Sequence, residues 1–148
     1  MVFPNNKYQK FTSKRDAMSR AKKVHCCTAC LYNQEKTFDV CPQCGAKNMR
    51  VFFPSRQEHL RAVSLIMMQK NKEISGLKFH QRYDLVVNGH KICAYEADAS
   101  YIDCSTGKQI VEDTKPSGSN FIDKTAELKI DLFNALYEPL GLRVKIVR

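Results

Sequence analysis

Two Cys-x-x-Cys pairs constrain this chain more than any other feature of its sequence. The pairs are Cys27 with Cys30 and Cys41 with Cys44, and ten residues separate them. A Cys-x-x-Cys turn directs two thiolates to one point, so two such turns supply the four soft ligands that tetrahedral zinc prefers. The segment between the pairs is too short for a core of its own, so we expect the unit to fold around a metal. Four protein ligands leave that metal no open position, which predicts a structural site.

The cysteine pattern leaves alternatives open. Cys26 could replace Cys27 with a three-residue spacer, although the symmetric two-residue spacing favours Cys27. An iron–sulfur cluster uses the same four thiolates, whereas disulfides are disfavoured in a chain that we expect in the cytoplasm. Gly45 after the second pair fits a tight turn. Cys93 and Cys104 stand alone and are predicted to be ordinary buried or half-buried thiols.

Positive charge is concentrated in the N-terminal third. The chain of 148 residues carries 24 Lys and Arg against 15 Asp and Glu, a formal charge of +9. Ten of these cations and three of these acids fall in residues 1–54, a local net of +7. Residues 1–23 show little apolar periodicity, which predicts a basic arm that either grips phosphates or serves as a solubilising tail. The candidate DNA-contacting residues of the arm are Lys14, Arg15, Arg20, Lys22 and Lys23.

Composition disfavours a disordered or membrane-spanning chain. Hydrophobic residues make up 43% of the sequence, which is enough for a packed core. No apolar run approaches the roughly 18 residues that a spanning helix needs. The first residues lack the apolar stretch of a secretory signal, so we expect a cytoplasmic protein without membrane attachment.

Residues 55–148 carry helix and strand patterns that predict an α+β domain. Ser55 as N-cap, with Glu58 three residues later, predicts a helix over 56–72. A second helix is predicted over 121–137. The apolar stripes expected to face the core are Leu60, Val63, Ile66 and Met67 on the first helix and Leu128, Leu132, Ala135 and Leu136 on the second.

Four strands accompany the two helices. The first three are predicted over 78–87, 91–102 and 109–115. Asn88-Gly89 is a hairpin signal and the other connection is also short, so these strands should form an antiparallel meander. A last strand is predicted over 142–147. The expected order is therefore helix, three strands, helix, strand, preceded by a small zinc ribbon or knuckle.

Acidic residues on the predicted strands form a group. Because side chains alternate along a strand, Asp113 and Lys115 share one face of the third strand while Glu112 points to the other. Glu96 and Asp98 share a face of the second strand. Carboxylates on neighbouring strands repel unless a cation offsets the repulsion, and such oxygen ligands suit magnesium. The alternative is two surface strands with solvated charges, since charged side chains are mostly exposed.

This combination of elements and acids resembles the PD-(D/E)XK nuclease superfamily. The resemblance rests on the element order and on Asp98 preceding the Asp113 and Lys115 pair. It covers residues 55–148 and implies a restriction-endonuclease-like α/β core. The segments 95–102, 110–115 and 128–137 look like the small phage-encoded branch of Holliday junction resolvase-like endonucleases. Pro116 departs from that pattern, because relatives tend to have a small residue such as glycine after the lysine.

The resemblance implies a catalytic magnesium or manganese site. Asp98 and Asp113 would bind the ion, with the backbone carbonyl of Thr114 as a further ligand. Glu58 would complete or support the site from the first helix. Lys115 would position the attacking water and stabilise charge on the phosphodiester.

Further residues receive supporting roles. Glu96 is a candidate partner of the metal-binding acids. Lys124 and Lys129 on the second helix are candidates for phosphate contact, with solvated helix charges as the alternative. The predicted division is a basic arm over 1–23, a four-cysteine zinc-binding unit over 24–50 and a nuclease domain over 51–148.

The resemblance also implies a function in DNA recombination. A hydrolase of this kind would be an endodeoxyribonuclease that resolves Holliday (four-way) junctions in a host cytoplasm. Resolution takes two cuts and one domain has one active site, which predicts a homodimer. The zinc unit and arm would hold junction arms through phosphates. The alternatives are a flap, single-strand or duplex nuclease of the same fold, or a catalytically inactive DNA-binding or zinc-ribbon adaptor module.

Overall fold

The computed structural model describes residues 23–116 and 123–148. Within these ranges the chain forms two α-helices and two β-sheets, which is the predicted α+β class. No helix in these ranges is long and apolar enough to cross a membrane. The predictions that lie outside the described residues concern Lys14, Arg15, Arg20, Lys22 and the first two residues of the predicted second helix, 121–122.

The first sheet contains the cysteine unit. Its strands are β1 (Val24–Cys27), β2 (Asn33–Gln34) and β3 (Arg50–Phe53), in the order β2-β1-β3 with antiparallel pairing. The loops that leave β1 and approach β3 carry the remaining cysteines. The boundary predicted between residues 50 and 51 falls inside β3.

The second sheet follows the first helix. In chain order the elements are α1 (Arg56–Lys70), β4 (Ile74–Val87), β5 (His90–Asp103), β6 (Gln109–Thr114), α2 (Lys124–Tyr137), a 3-10 turn (Glu138–Leu140) and β7 (Val144–Val147). The sheet order is β4-β5-β6-β7, so the predicted antiparallel meander is present. The crossover through α2 makes β7 parallel to β6. Strand β4, the first strand of this sheet, begins at Ile74, four residues before its predicted start.

The start of α1 agrees with the sequence signal. The Ser55 hydroxyl accepts a hydrogen bond from the Glu58 amide at 3.2 Å and donates one to the Glu58 carboxylate at 3.0 Å. The first satisfies an amide that the helix itself leaves unpaired, and the second restrains the Glu58 side chain. The same residue that starts the helix therefore positions a predicted site residue.

The predicted apolar stripe of α1 was partly wrong. Ile66 is buried, but Leu60 is 55% exposed and Met67 is 44% exposed. The buried face instead carries Ala62 and Leu65. The buried face is rotated because Arg61, in the second turn of the helix, also faces the sheet, where it bonds Glu112.

The predicted apolar stripe of α2 was also partly wrong. Phe133 is fully buried and centres the core beneath this helix, whereas Leu128 is 68% exposed and Ala135 is also exposed. Leu132 and Leu136 pack at the edge of the cluster as predicted. The buried members of this cluster are Leu85, Tyr95, Ala97, Val111, Phe133 and Val144.

Helix α1 packs against both sheets. One cluster joins its Ala62 to Val24, Cys26 and Phe53 of the cysteine sheet. A second joins its Leu65 to Ile74, Ala99 and Tyr101 of the four-stranded sheet. The cysteine unit and the larger domain therefore share a core through one helix.

Candidate metal centre and acidic site

Four thiols from the two cysteine turns meet beside the first sheet. The sulfur atoms of Cys27, Cys30, Cys41 and Cys44 all lie within 4.8 Å of one another. The Cys27 and Cys44 sulfurs are 3.8 Å apart, and the Cys30 and Cys41 sulfurs are 3.6 Å apart. Four sulfurs at about 2.3 Å from a tetrahedral zinc would be separated by about 3.8 Å. The thiols are thus already spaced to hold such a metal.

The two cysteine turns have matching backbone geometry. The Leu31 amide donates to the Cys27 carbonyl at 2.8 Å, and the Gly45 amide donates to the Cys41 carbonyl at 2.9 Å. Leu31 and Gly45 both follow the second cysteine of a pair, and both have left-handed φ angles, 66° and 71°. Glycine adopts this conformation readily, but leucine does so at a cost. The cysteine arrangement is maintained despite that cost.

The thiols differ in acidity. Burial opposes ionisation of Cys41, but backbone amides of Cys44 and Gln43 outweigh it and lower its pKa to about 7. At Cys30 the Tyr32 amide favours the thiolate, but desolvation and the neighbouring thiols prevail and raise the pKa to about 12. Several thiolates so close together repel one another, and a bound cation would remove that repulsion.

The other cysteines do not join the cluster. Cys26 is fully buried, and burial followed by the proximity of Cys27 and Cys41 raises its pKa to about 11. Its thiol is directed at the Cys27 carbonyl, 3.7 Å away. The four grouped thiols thus include Cys27 rather than Cys26. Cys93 is half-buried as predicted, but Cys104 is exposed because it lies in the turn after β5.

The predicted acidic residues meet where β5 pairs with β6. Ala99 pairs with Glu112, so Asp98 and Asp113 lie opposite one another on the two strands. The Asp113 Oδ2 atom lies 2.6 Å from the Lys115 ammonium. Asp98 Oδ2 accepts a hydrogen bond of 2.6 Å from the Thr114 amide. Thr114 thus contributes its amide to the site, and a role for its carbonyl stays a prediction.

Burial makes the Asp98 and Glu58 carboxylates reluctant to ionise. The pKa of Asp98 is raised to about 7, first by burial and then by the charges of Asp113 and Glu58, although the Thr114 amide opposes the shift. Burial also raises the pKa of Glu58, against the opposing effects of Ser55 and His80. Asp113 raises it further. Glu58 on α1 and Asp98 on β5 line one small cavity, so the helix acid lies near the acids of the sheet.

The acids do not form a closed ligand set like that of the thiols. In residues 23–116 and 123–148, the cysteines are the one group of at least three ligand residues whose atoms all lie within 4.8 Å. Asp98 is held by an amide and Asp113 by Lys115. The donor chemistry nevertheless fits magnesium, which commonly takes one or two carboxylates and keeps several waters.

A cavity of about 380 Å³ opens beside the acidic site. Arg82, Lys115 and Lys129 bring positive charge to it. Of the other predicted DNA-contacting residues, Lys23 is exposed before β1 and Lys124 is exposed at the start of α2. The complete lining is Arg82, Ala94, Tyr95, Glu96, Asp113, Lys115, Ala126, Lys129 and Ile130.

A buried ion pair lies one residue from Asp113. Glu112 is fully buried and accepts hydrogen bonds from the Arg61 guanidinium at 2.9 and 2.7 Å and from the Tyr101 hydroxyl at 2.5 Å. Burial alone would raise the pKa of Glu112, but these hydrogen bonds outweigh it and lower the pKa. Sequence patterns placed Glu112 on the opposite strand face from Asp113 and gave no partner for it. The partner is Arg61, three residues after Glu58 on α1.

Comparison of the chain with protein-family models, with curated proteins and with solved structures finds no match.

Proposed function

We propose that this protein is a metal-dependent endodeoxyribonuclease that hydrolyses branched DNA. One observation carries the proposal. Asp113 is buried in an ion pair with Lys115, and it lies opposite Asp98, whose pKa is raised to about 7. A buried acid paired with a lysine at the wall of a cleft, opposite a second acid whose pKa is raised, favours a site for chemistry over solvated surface charge.

Each of the four site residues would have its own role in hydrolysis. Asp98 and Asp113 would hold a divalent ion, with Glu58 supporting them from α1. When bound, magnesium or manganese supplies Lewis-acid polarisation and a more acidic water. Lys115 orients the attacking water and stabilises negative charge on the phosphate. The attacking water gives up a proton to solvent as its oxygen bonds to phosphorus, one phosphorus–oxygen bond to a sugar breaks, and the departing sugar oxygen takes up a proton from solvent.

The four grouped thiols serve a different purpose. Four cysteines close together could bind a metal such as zinc, and the proposal assigns them one structural zinc. All four ligands are protein atoms, so no open position remains for substrate. The four-cysteine unit would form part of the DNA-binding surface beside α1, and the basic arm would add phosphate contacts.

The proposed substrate determines the assembly that the protein would need. One chain carries one set of Glu58, Asp98, Asp113 and Lys115, whereas a four-way junction is resolved by cuts in two strands. A homodimer would supply both sites with the two-fold symmetry that the junction requires.

Cleavage assays with Asp113→Asn test the site assignment. We expect the wild-type protein in magnesium to cut a synthetic four-way junction, and Asp113→Asn to cut it at least about 100-fold more slowly. Binding of the junction should change little. The matched control is Asp131→Asn, because Asp131 is exposed on α2 and its loss removes the same charge.

The same preparation should be compared on four-way, flap, single-stranded and linear duplex DNA. Faster cutting of the four-way junction supports junction resolution. Equal rates on linear duplex would remove the junction assignment and leave a general nuclease. Full activity of Asp113→Asn would refute the site, and binding without cleavage in magnesium and manganese would favour an inactive DNA-binding module.

A further inference from the structure

The cavity beside Asp113 is lined by positively charged side chains that have no role in the proposed reaction. Arg82 comes from β4 and Lys129 from α2, so two separate elements bring charge to one space. In the part of the chain that the structure describes, neither forms an ion pair with an acid. Lys115, the third cation of the cavity, is already paired with Asp113. Two positive charges thus remain available to a ligand.

An independent feature of the cavity also points to a ligand. Tyr95 lines it and is only 5% exposed, and its buried hydroxyl has no hydrogen-bond partner. Burial raises the pKa of Tyr95, and the charges of Asp113 and Asp98 add to this effect, so the hydroxyl stays protonated. A buried donor without a partner is rare and costly in a folded protein. A ligand that offers an acceptor oxygen would satisfy it.

The remaining lining favours a phosphate attached to a larger group. A cavity of about 380 Å³ exceeds what an inorganic ion needs and falls in the range of small-ligand sites. Ala94, Ala126 and Ile130 supply apolar wall beside the cations. Two acids line the cavity and would repel an anion: Asp113 is paired with Lys115, and the Glu96 side chain is 59% exposed and lies 3.6 Å from His80.

We propose that Arg82, Lys129 and the Tyr95 hydroxyl form a subsite for a backbone phosphate of DNA, adjacent to the phosphate that is cut. Its position next to the cut rests on the proposed nuclease function. The guanidinium of Arg82 can donate two parallel hydrogen bonds to phosphate oxygens, Lys129 adds a point charge, and Tyr95 adds a neutral donor. The subsite would fix the register of the strand in the active site without reading its sequence.

Equilibrium binding of Arg82→Gln tests the subsite without depending on cleavage. Fluorescence anisotropy with a labelled oligonucleotide is measured without added magnesium and without chelator, so that a zinc site is not stripped. We expect Arg82→Gln to weaken binding about tenfold and to reduce the slope of log affinity against log salt by about one. The control is Lys108→Gln, an exposed cation in the turn between β5 and β6, which should change affinity less than about twofold. Equal effects of the two variants would overturn the subsite.

A double-mutant cycle then identifies the phosphate. Oligonucleotides that each carry one uncharged methylphosphonate are bound to wild-type protein and to Arg82→Gln. We expect one position at which the wild type loses about tenfold in affinity and the variant loses almost nothing further. Additive losses at every position would overturn the assignment. Tyr95→Phe should show a smaller loss at the same position, and its thermal unfolding reports whether the fold is intact.

Two further results separate the hypotheses. If a nucleoside monophosphate binds in a manner dependent on Arg82 while oligonucleotide binding does not depend on it, the cavity serves a free nucleotide and the backbone assignment is wrong. If the cycle succeeds but the wild-type protein cuts no DNA in magnesium or manganese, the phosphate contact stands and the nuclease function fails.

Discussion

Removing the carboxylate of Glu112 should strongly destabilise the protein, because that group fixes α1 to β6. In Glu112→Ala, the Arg61 guanidinium loses two hydrogen bonds of 2.9 and 2.7 Å, and the Tyr101 hydroxyl loses one of 2.5 Å. Lys145, 3.7 Å from the same carboxylate, loses a weaker attraction. The variant therefore leaves a partly buried cation and a buried hydroxyl without an acceptor.

The expected size of the effect follows from burial. Breaking one partner of a buried ion pair costs about 3–5 kcal/mol. The Glu112 side chain is fully buried, but 24% of the Arg61 side chain is exposed and can recover some hydration. We therefore expect the lower end of that range, a loss of about 3 kcal/mol in the free energy of unfolding at pH 7.

Urea denaturation followed by circular dichroism, with zinc present, measures this loss. The control is the double variant Arg61→Met with Glu112→Leu, which removes both charges. Its free energy of unfolding should be at least about 2 kcal/mol higher than that of Glu112→Ala. Since the folded-state pKa of Glu112 is lowered, its contribution is present above the ordinary value near 4.5 and is lost as pH falls through the folded-state pKa. The difference between wild type and Glu112→Ala should thus stay constant from pH 7 to about 5 and shrink below it.

Two results would refute this reasoning. A loss below about 1 kcal/mol would mean that the ion pair contributes no more than a surface pair. A double variant as unstable as the single one would mean that shape, rather than the stranded cation, causes the loss.

The remaining predictions concern the two candidate metal sites. Metal analysis of purified protein should find about one zinc per chain. Cys44→Ser should lose this zinc and Cys26→Ala should keep it. Finding no metal, or an absorbing iron chromophore, would contradict the zinc assignment. Because the folded-state pKa of Asp98 is raised to about 7, ionising this carboxyl costs folding free energy at higher pH. Without added magnesium, Asp98→Asn should therefore be more stable than wild type by about 1–3 kcal/mol at pH 8. Thermal or urea unfolding should show this advantage vanishing towards pH 4, and a difference independent of pH would contradict it.

Local signals in the sequence predicted local structure well. Ser55 and Glu58 marked the start of α1, and the Asn88-Gly89 turn adopts positive φ angles of 51° and 80° as a tight hairpin requires. The repeated cysteine spacing predicted the group of four thiols, because the spacing itself fixes where each turn directs its sulfurs. Each of these features depends on residues a few positions apart.

Contacts distant in sequence could not be predicted in the same way. The Arg61 and Glu112 pair joins a helix to a strand 51 residues away, and no periodic pattern connects them. Because Arg61 and Glu58 both occupy the sheet-facing side of α1, Leu60 is displaced to the exposed side. Arg82 was missed because the facing wall of its cavity comes from Ala126, Lys129 and Ile130 of α2, far along the chain from β4.

The shared core of the cysteine sheet and α1 has a consequence for the order of synthesis. Val24, Cys26 and Phe53 precede Ala62 in the chain, so a ribosome completes the apolar surface of the sheet before it completes the helix that packs there. That apolar surface stays uncovered until the helix that packs against it has been synthesised directly afterwards. The residues of the cysteine sheet thus leave the ribosome just before the first turn of α1, and those of the four-stranded sheet follow.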